Sequence, residues 1–103
     1  MSQLERRYQQ RRKGILPVRI SGTDREGKAF SEHVCTIDIS DRGTRLAGVR
    51  ACLAVGDTVN VRFRNRQACF RVKWIMSGST PTNTHVGVEA LEPEKELWPI
   101  ETN

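Results

Sequence analysis

Two clusters in this chain carry residue types suited to recognising a small, phosphate-bearing ligand. Near the start, Arg7-Tyr8-Gln9-Gln10-Arg11 sets two guanidinium groups four residues apart, with Arg12 next to them. A guanidinium is planar, permanently charged and forked. It pairs bidentately with a phosphate or with the O6 and N7 acceptors of a guanine edge, and its flat face stacks on a base. The second cluster is Asp38-Ile39-Ser40-Asp41-Arg42-Gly43, between two apolar, β-branched runs. Asp38 and Ser40 lie two residues apart, so they project from one face of an extended segment. The carboxylate is an acceptor that suits the N–H donors of a guanine Watson–Crick edge, and the serine hydroxyl both donates and accepts. Gly43 is placed to supply the positive φ of a tight reversal. A plainer reading makes this stretch a capped β-turn and the arginine segment a solvated tail.

The elements that must position these groups fit a single small domain. With 103 residues, 37% hydrophobic and 28% charged, the chain is long enough for one core and too short for a second module. No apolar run is long enough to cross a bilayer and none follows the polar first 13 residues, so neither a membrane span nor a signal peptide is expected. Cys35, Cys52 and Cys69 are odd in number, widely spaced and set among apolar residues. They read as reduced, partly buried thiols of a cytoplasmic protein. Residues 1–13 hold five positive side chains against Glu5 alone, contributing +4 of the net +5, while the last residues are acidic through Glu92, Glu94, Glu96 and Glu101. A concentrated basic arm favours a polyanionic or phosphate-bearing partner.

Apolar residues recur with period two along most of the chain. Leu16, Val18 and Ile20 mark a first strand, Phe30 to Ile39 a longer one feeding the Asp38 turn, and Thr44 to Arg50 a third. Val59, Val61 and Phe63 alternate with Asn60, Arg62 and Arg64; Phe70, Val72 and Trp74 alternate with Arg71 and Lys73, which places Trp74 in the core. Val86 and Val88 begin the last strand. Six short strands joined by turns predict an all-β fold, a six-stranded antiparallel β-barrel, because closure removes exposed edges. The expected layout is a flexible basic N-terminal arm over 1–13, the barrel over 14–92 and an acidic tail over 93–103 with at most a short C-terminal helical turn. Trp98 is read either as a lid on the barrel or as a docking point for a partner. Arg62, Arg64, Arg66, Arg71 and Lys73 read as the outer face of a hairpin or as a phosphate-binding surface.

Arg-x-x-x-Arg near the N-terminus, followed by Asp-x-Ser-x-x-Gly on an all-β chain, resembles the PilZ domain, a bacterial receptor for the second messenger cyclic di-GMP. Val55-Gly56-Asp57 before a strand, Val72-Lys73-Trp74 in the next and Gly87-Val88 near the end are similar to later landmarks of the family, so the resemblance covers most of the chain. It implies a barrel whose N-terminal arm closes over the ligand. By position in the motifs, Arg7 and Arg11 would take phosphate and guanine edge, Asp38 and Ser40 would read the base, and Gly43 would make the turn. Arg12, like Arg6, stands beside the motif and either assists or substitutes. Two features depart from the family pattern: Thr44 stands where an apolar residue is usual, and the C-terminal helix of many members is reduced to a few residues.

The resemblance therefore implies a cyclic di-GMP-binding module with no resident cofactor, which orders its arm on the ligand and signals to a partner protein. The alternatives are a PilZ-like interaction module that binds no nucleotide, and a small basic nucleic-acid-binding barrel. Against the last stands the scarcity of aromatics in the basic arm, where Tyr8 is the sole one. No nucleophile and base, carboxylate pair or metal set stands at a workable spacing, so an enzyme is not expected, and His33 and His85 lack partners at zinc-ligand spacing.

Overall fold

A computed structural model describes residues 12–40, 42–78, 84–92 and 97–98. Alternating apolar and polar residues make its seven strands: β1 (Arg12–Lys13), β2 (Pro17–Thr23), β3 (Ala29–Ile39), β4 (Gly43–Ala47), β5 (Thr58–Phe63), β6 (Arg66–Met76) and β7 (His85–Ala90). Six of them close into an antiparallel barrel in the order β3-β2-β5-β6-β7-β4, with β4 pairing back onto β3. The two-residue β1 adds to β3, and there is no helix among the described residues. Among the described residues no helix is long and apolar enough to cross a membrane.

Inward residues fill the barrel: Ile20, Leu46, Val61, Val72 and Val86 are each at most 1% exposed. Trp98 joins this core, with ring centroids 6.0 Å from Phe63 and 6.3 Å from Phe70. It packs inside the barrel wall, which resolves its two sequence readings in favour of core closure. The rest of the proposed C-terminal helical turn, residues 93–96, lies outside the described residues. All three cysteines are exposed, against expectation. Cys35 and Cys69 sit among apolar neighbours in the sequence, but those neighbours point inward and the thiols take the outward phase of their strands.

Two register shifts break the alternation. One falls between Thr36 and Asp38 in the β3–β4 pairing, the other between Val72 and Trp74 in the β6–β7 pairing. An extra residue in one strand exchanges the faces of everything beyond it. Trp74, which strict alternation places in the core beside Val72, is instead on the outer face and 38% exposed. The bulge at Ile37 acts likewise, releasing Asp38 from the inward phase of Thr36.

Gly43 does not take the positive φ expected of it. It is required for a different reason: a Cβ at this position would lie 2.2 Å from the Val88 backbone oxygen, because β4 presses against β7 there. Gly43→Ala should therefore destabilise the barrel by about 1–3 kcal/mol through backbone displacement, measured as a lowered denaturant midpoint at unchanged slope.

Candidate functional site

The last residues of the basic arm enter the fold beside the Asp38 turn. Arg12 pairs with Ile39 and Lys13 with Asp38, while on the other edge of β3 Asp38 pairs with Arg45 and Ile39 with Thr44. The segment between β1 and β2 is tied to the same strand: the Gly14 amide donates to the Ile37 carbonyl at 3.1 Å, and the Leu16 amide to Thr36 Oγ1 at 2.9 Å. The buried Thr36 hydroxyl donates in turn to the Gly14 carbonyl. Arg7 and Arg11 lie outside the described residues, and so does Asp41 within the turn.

The turn is held by Ser40. Its amide donates to the Gly43 carbonyl at 2.9 Å. Its hydroxyl accepts from the Gly43 amide at 3.2 Å and the Arg42 amide at 3.3 Å, and donates to the Gly43 carbonyl at 3.3 Å. One proton and two lone pairs are the whole capacity of a hydroxyl, so Ser40 is committed to the bend. Thr44, the departure from an apolar residue, is buried and donates its hydroxyl to the Asp38 carbonyl. That hydrogen bond fixes the backbone beneath Asp38.

Register lines up residues that the sequence holds far apart. Lys13, Asp38, Arg45, Gly87 and Trp74 follow one another across β1, β3, β4, β7 and β6. At the ~4.8 Å spacing of neighbouring strands, Asp38 and Trp74 stand roughly 14 Å apart in this row. The Trp74 indole lies directly over Gly87, where a Cβ would come within 2.2 Å of its ring. Arg45 bonds to Asp38, with Nη2 3.3 Å from Oδ2. Lys73, the residue at the second bulge, pairs with Glu89 at 3.4 Å.

Together these groups surround an open depression of about 210 Å³, whose walls include Ser40, Gly43, Arg45, Lys73, Trp74 and Glu89. It offers a flat aromatic surface, three cations in Arg42, Arg45 and Lys73, a carboxylate and backbone from the turn. Of the sequence-predicted residues, Ser40 and Gly43 wall it, while Asp38 is buried one strand away at 8% exposure. Lys73 belongs to the basic group that the sequence offers as a phosphate-binding surface, whereas Arg45 and Trp74 stand outside every sequence-predicted site. A signal for Trp74 was present: Trp74-Ile75-Met76 is an apolar triplet that a simple two-residue period cannot accommodate.

The second basic group is divided by the fold. Lys73 belongs to the depression, whereas Arg62 stands opposite Arg19 on the far side of the barrel, where Arg19 donates to His33 Nε2 at 2.9 Å. No three potential metal ligands cluster among the described residues.

Gly87→Ala should push the Trp74 ring off the sheet, shifting its fluorescence emission while leaving stability within about 1 kcal/mol, since the displaced ring is at the surface. An unchanged emission spectrum would contradict the stacking of Trp74 on Gly87.

Searches against models of known protein families and against curated proteins find no match to this chain.

Proposed function

We propose that this chain is a cyclic di-GMP receptor of the PilZ type, in which the ligand orders the basic arm over the depression and the altered surface is read by a partner protein. The observation that carries this reading is the register of β1: it brings the end of the arginine arm against Asp38, next to the Ser40 turn and one strand from the depression. The residues that directly follow the arginine motif thus reach the strand that carries the Asp38 motif. Trp74 adds a stacking surface of the kind a purine base uses, and Arg45 and Lys73 add cations for phosphate.

Size supports a role for the arm. Small-molecule sites typically enclose about 300–1,000 Å³, and the depression holds about 210 Å³. A cyclic dinucleotide resting there would be only partly covered. Arg7 and Arg11, carried on the segment that leads into β1, would supply the remaining contacts to phosphate and guanine. Such a closure is driven by contacts that exist only with the ligand in place, which gives a partner protein a difference to recognise.

Exposed Trp74 removes part of the objection to a nucleic-acid binder, but one stacking ring is few for a strand-tracking surface. Isothermal titration separates the readings. Cyclic di-GMP should bind with micromolar or tighter affinity, and Arg11→Ala should abolish detectable binding with the fold intact. The loss of a single charged hydrogen-bonding group accounts for about 1.5–3 kcal/mol, roughly ten- to hundredfold in affinity. Absence of heat from cyclic di-GMP, with tight and steeply salt-dependent binding of single-stranded oligonucleotide, would overturn the proposal.

A further inference from the structure

Resting on the cyclic di-GMP reading, we propose that the ion pair of Lys73 and Glu89 reads the edge of a guanine base and makes the depression selective for guanine over adenine. The motif resemblance gives the base to Asp38 and Ser40. The geometry places both elsewhere: Asp38 is 8% exposed and does not wall the depression, and the Ser40 hydroxyl is committed to the bend. Among the described residues Glu89 is the one carboxylate in the wall.

The fold sets this pair beside the stacking surface. Lys73 directly precedes Trp74, whose indole covers Gly87, and Glu89 follows Gly87 by two residues, so it projects from the same face of β7. Lys73 Nζ stands 3.4 Å from Glu89 Oε1, which puts a donor and an acceptor side by side. Both side chains are half-exposed, and an ammonium has three protons and a carboxylate about four lone-pair sites, so each keeps capacity for a ligand.

The Watson–Crick edge of guanine has the same order, with the O6 acceptor next to the N1–H and N2–H donors. Lys73 donates to O6 and the Glu89 carboxylate accepts from N1–H and N2–H, while Trp74 carries the face of the base. Adenine reverses both positions: its N6–H donor meets the ammonium and its N1 acceptor meets the carboxylate. A site built to hydrogen-bond one purine rejects the other because its polar groups are then left unmatched. Arg42 and Arg45, the other cations of the wall, are left for phosphate.

Isothermal titration of the full chain with cyclic di-GMP and with cyclic di-AMP, which shares its phosphates and differs in its bases, tests this. Wild type should prefer cyclic di-GMP by roughly ten- to hundredfold, the range of one good bidentate base contact. Glu89→Gln should weaken cyclic di-GMP binding about tenfold while cyclic di-AMP binds as well as before or better, because the amide supplies a donor that matches adenine N1. Loss of a negative charge by itself favours either phosphate-bearing ligand, so a weakening confined to cyclic di-GMP has the opposite sign to a general electrostatic effect. Lys73→Met, which keeps the side-chain length and loses the donor, should also narrow the preference. Circular dichroism on each variant confirms that the barrel is retained, and the Lys73→Met titrations still decide the matter where the glutamine variant does not fold.

If the variants keep the wild-type preference, with both ligands unchanged or changed by the same factor, the pair does not read the base and the inference is wrong. A wild-type chain that binds the two dinucleotides equally would also overturn it while leaving the receptor reading in place. A wild-type chain that binds no cyclic di-GMP overturns the receptor reading, and this inference with it.

Discussion

The close approach of β4 to β7 is the constraint on which the molecule depends. The barrel closes because one five-residue strand, β4, pairs with β7 on one edge and β3 on the other. That strand begins at Gly43, where no side chain fits against the Val88 carbonyl. Closure and turn are therefore one structure. The Ala90 amide donates to the Arg42 carbonyl, and the Ser40 hydroxyl ties residues 42 and 43 back onto β3. Whatever binds beside this turn meets a surface stiffened by the same contacts that shut the barrel.

Two bulges then convert a structural barrel into one with a chemically distinctive face. A regular sheet of this sequence would point Asp38 and Trp74 inward, leaving a carboxylate among the apolar side chains of the core and a bare outer surface at Gly87. The shifts at Ile37 and Lys73 put both residues in the outward-facing row, on either side of Arg45 and Gly87. Bulges are tolerated here because the flanking residues, Thr36 and Val72, keep their own core contacts and are almost wholly buried. Local irregularity is spent at the candidate site rather than in the core.

Much of the fold was legible in the sequence because it follows from alternation. Val59, Val61 and Phe63 repeat every second residue, and the structure buries all three. The turn at Ser40 was legible too, though not its mechanism: the sequence suggested a left-handed glycine, and steric contact with another strand is what demands one. Trp74 was assigned to the core because period two was carried through Lys73, and a single inserted residue reverses every later position. Arg45 could not be found at all without register. Only pairing across β3 and β4 reveals that its neighbour is Asp38, and only pairing across β7 reveals that the way from it to Trp74 is open.

The turn residues and the residues lining the depression thus divide the work. Ser40, Gly43 and Thr44 set the backbone, while Arg45, Lys73 and Trp74 line the depression and β1 pairs along β3. The central claim is that this row, with the arm, forms a single ligand face. Amide chemical-shift mapping by two-dimensional NMR, with cyclic di-GMP titrated into the ¹⁵N-labelled chain, tests it most directly. The account predicts coordinated shifts at Lys13, at Asp38 through Arg45, at Lys73 and Trp74 and at Gly87 through Glu89, with Arg19, Arg62 and His33 unmoved. Shifts centred on Arg19 and Arg62, or no shifts at all, would contradict it.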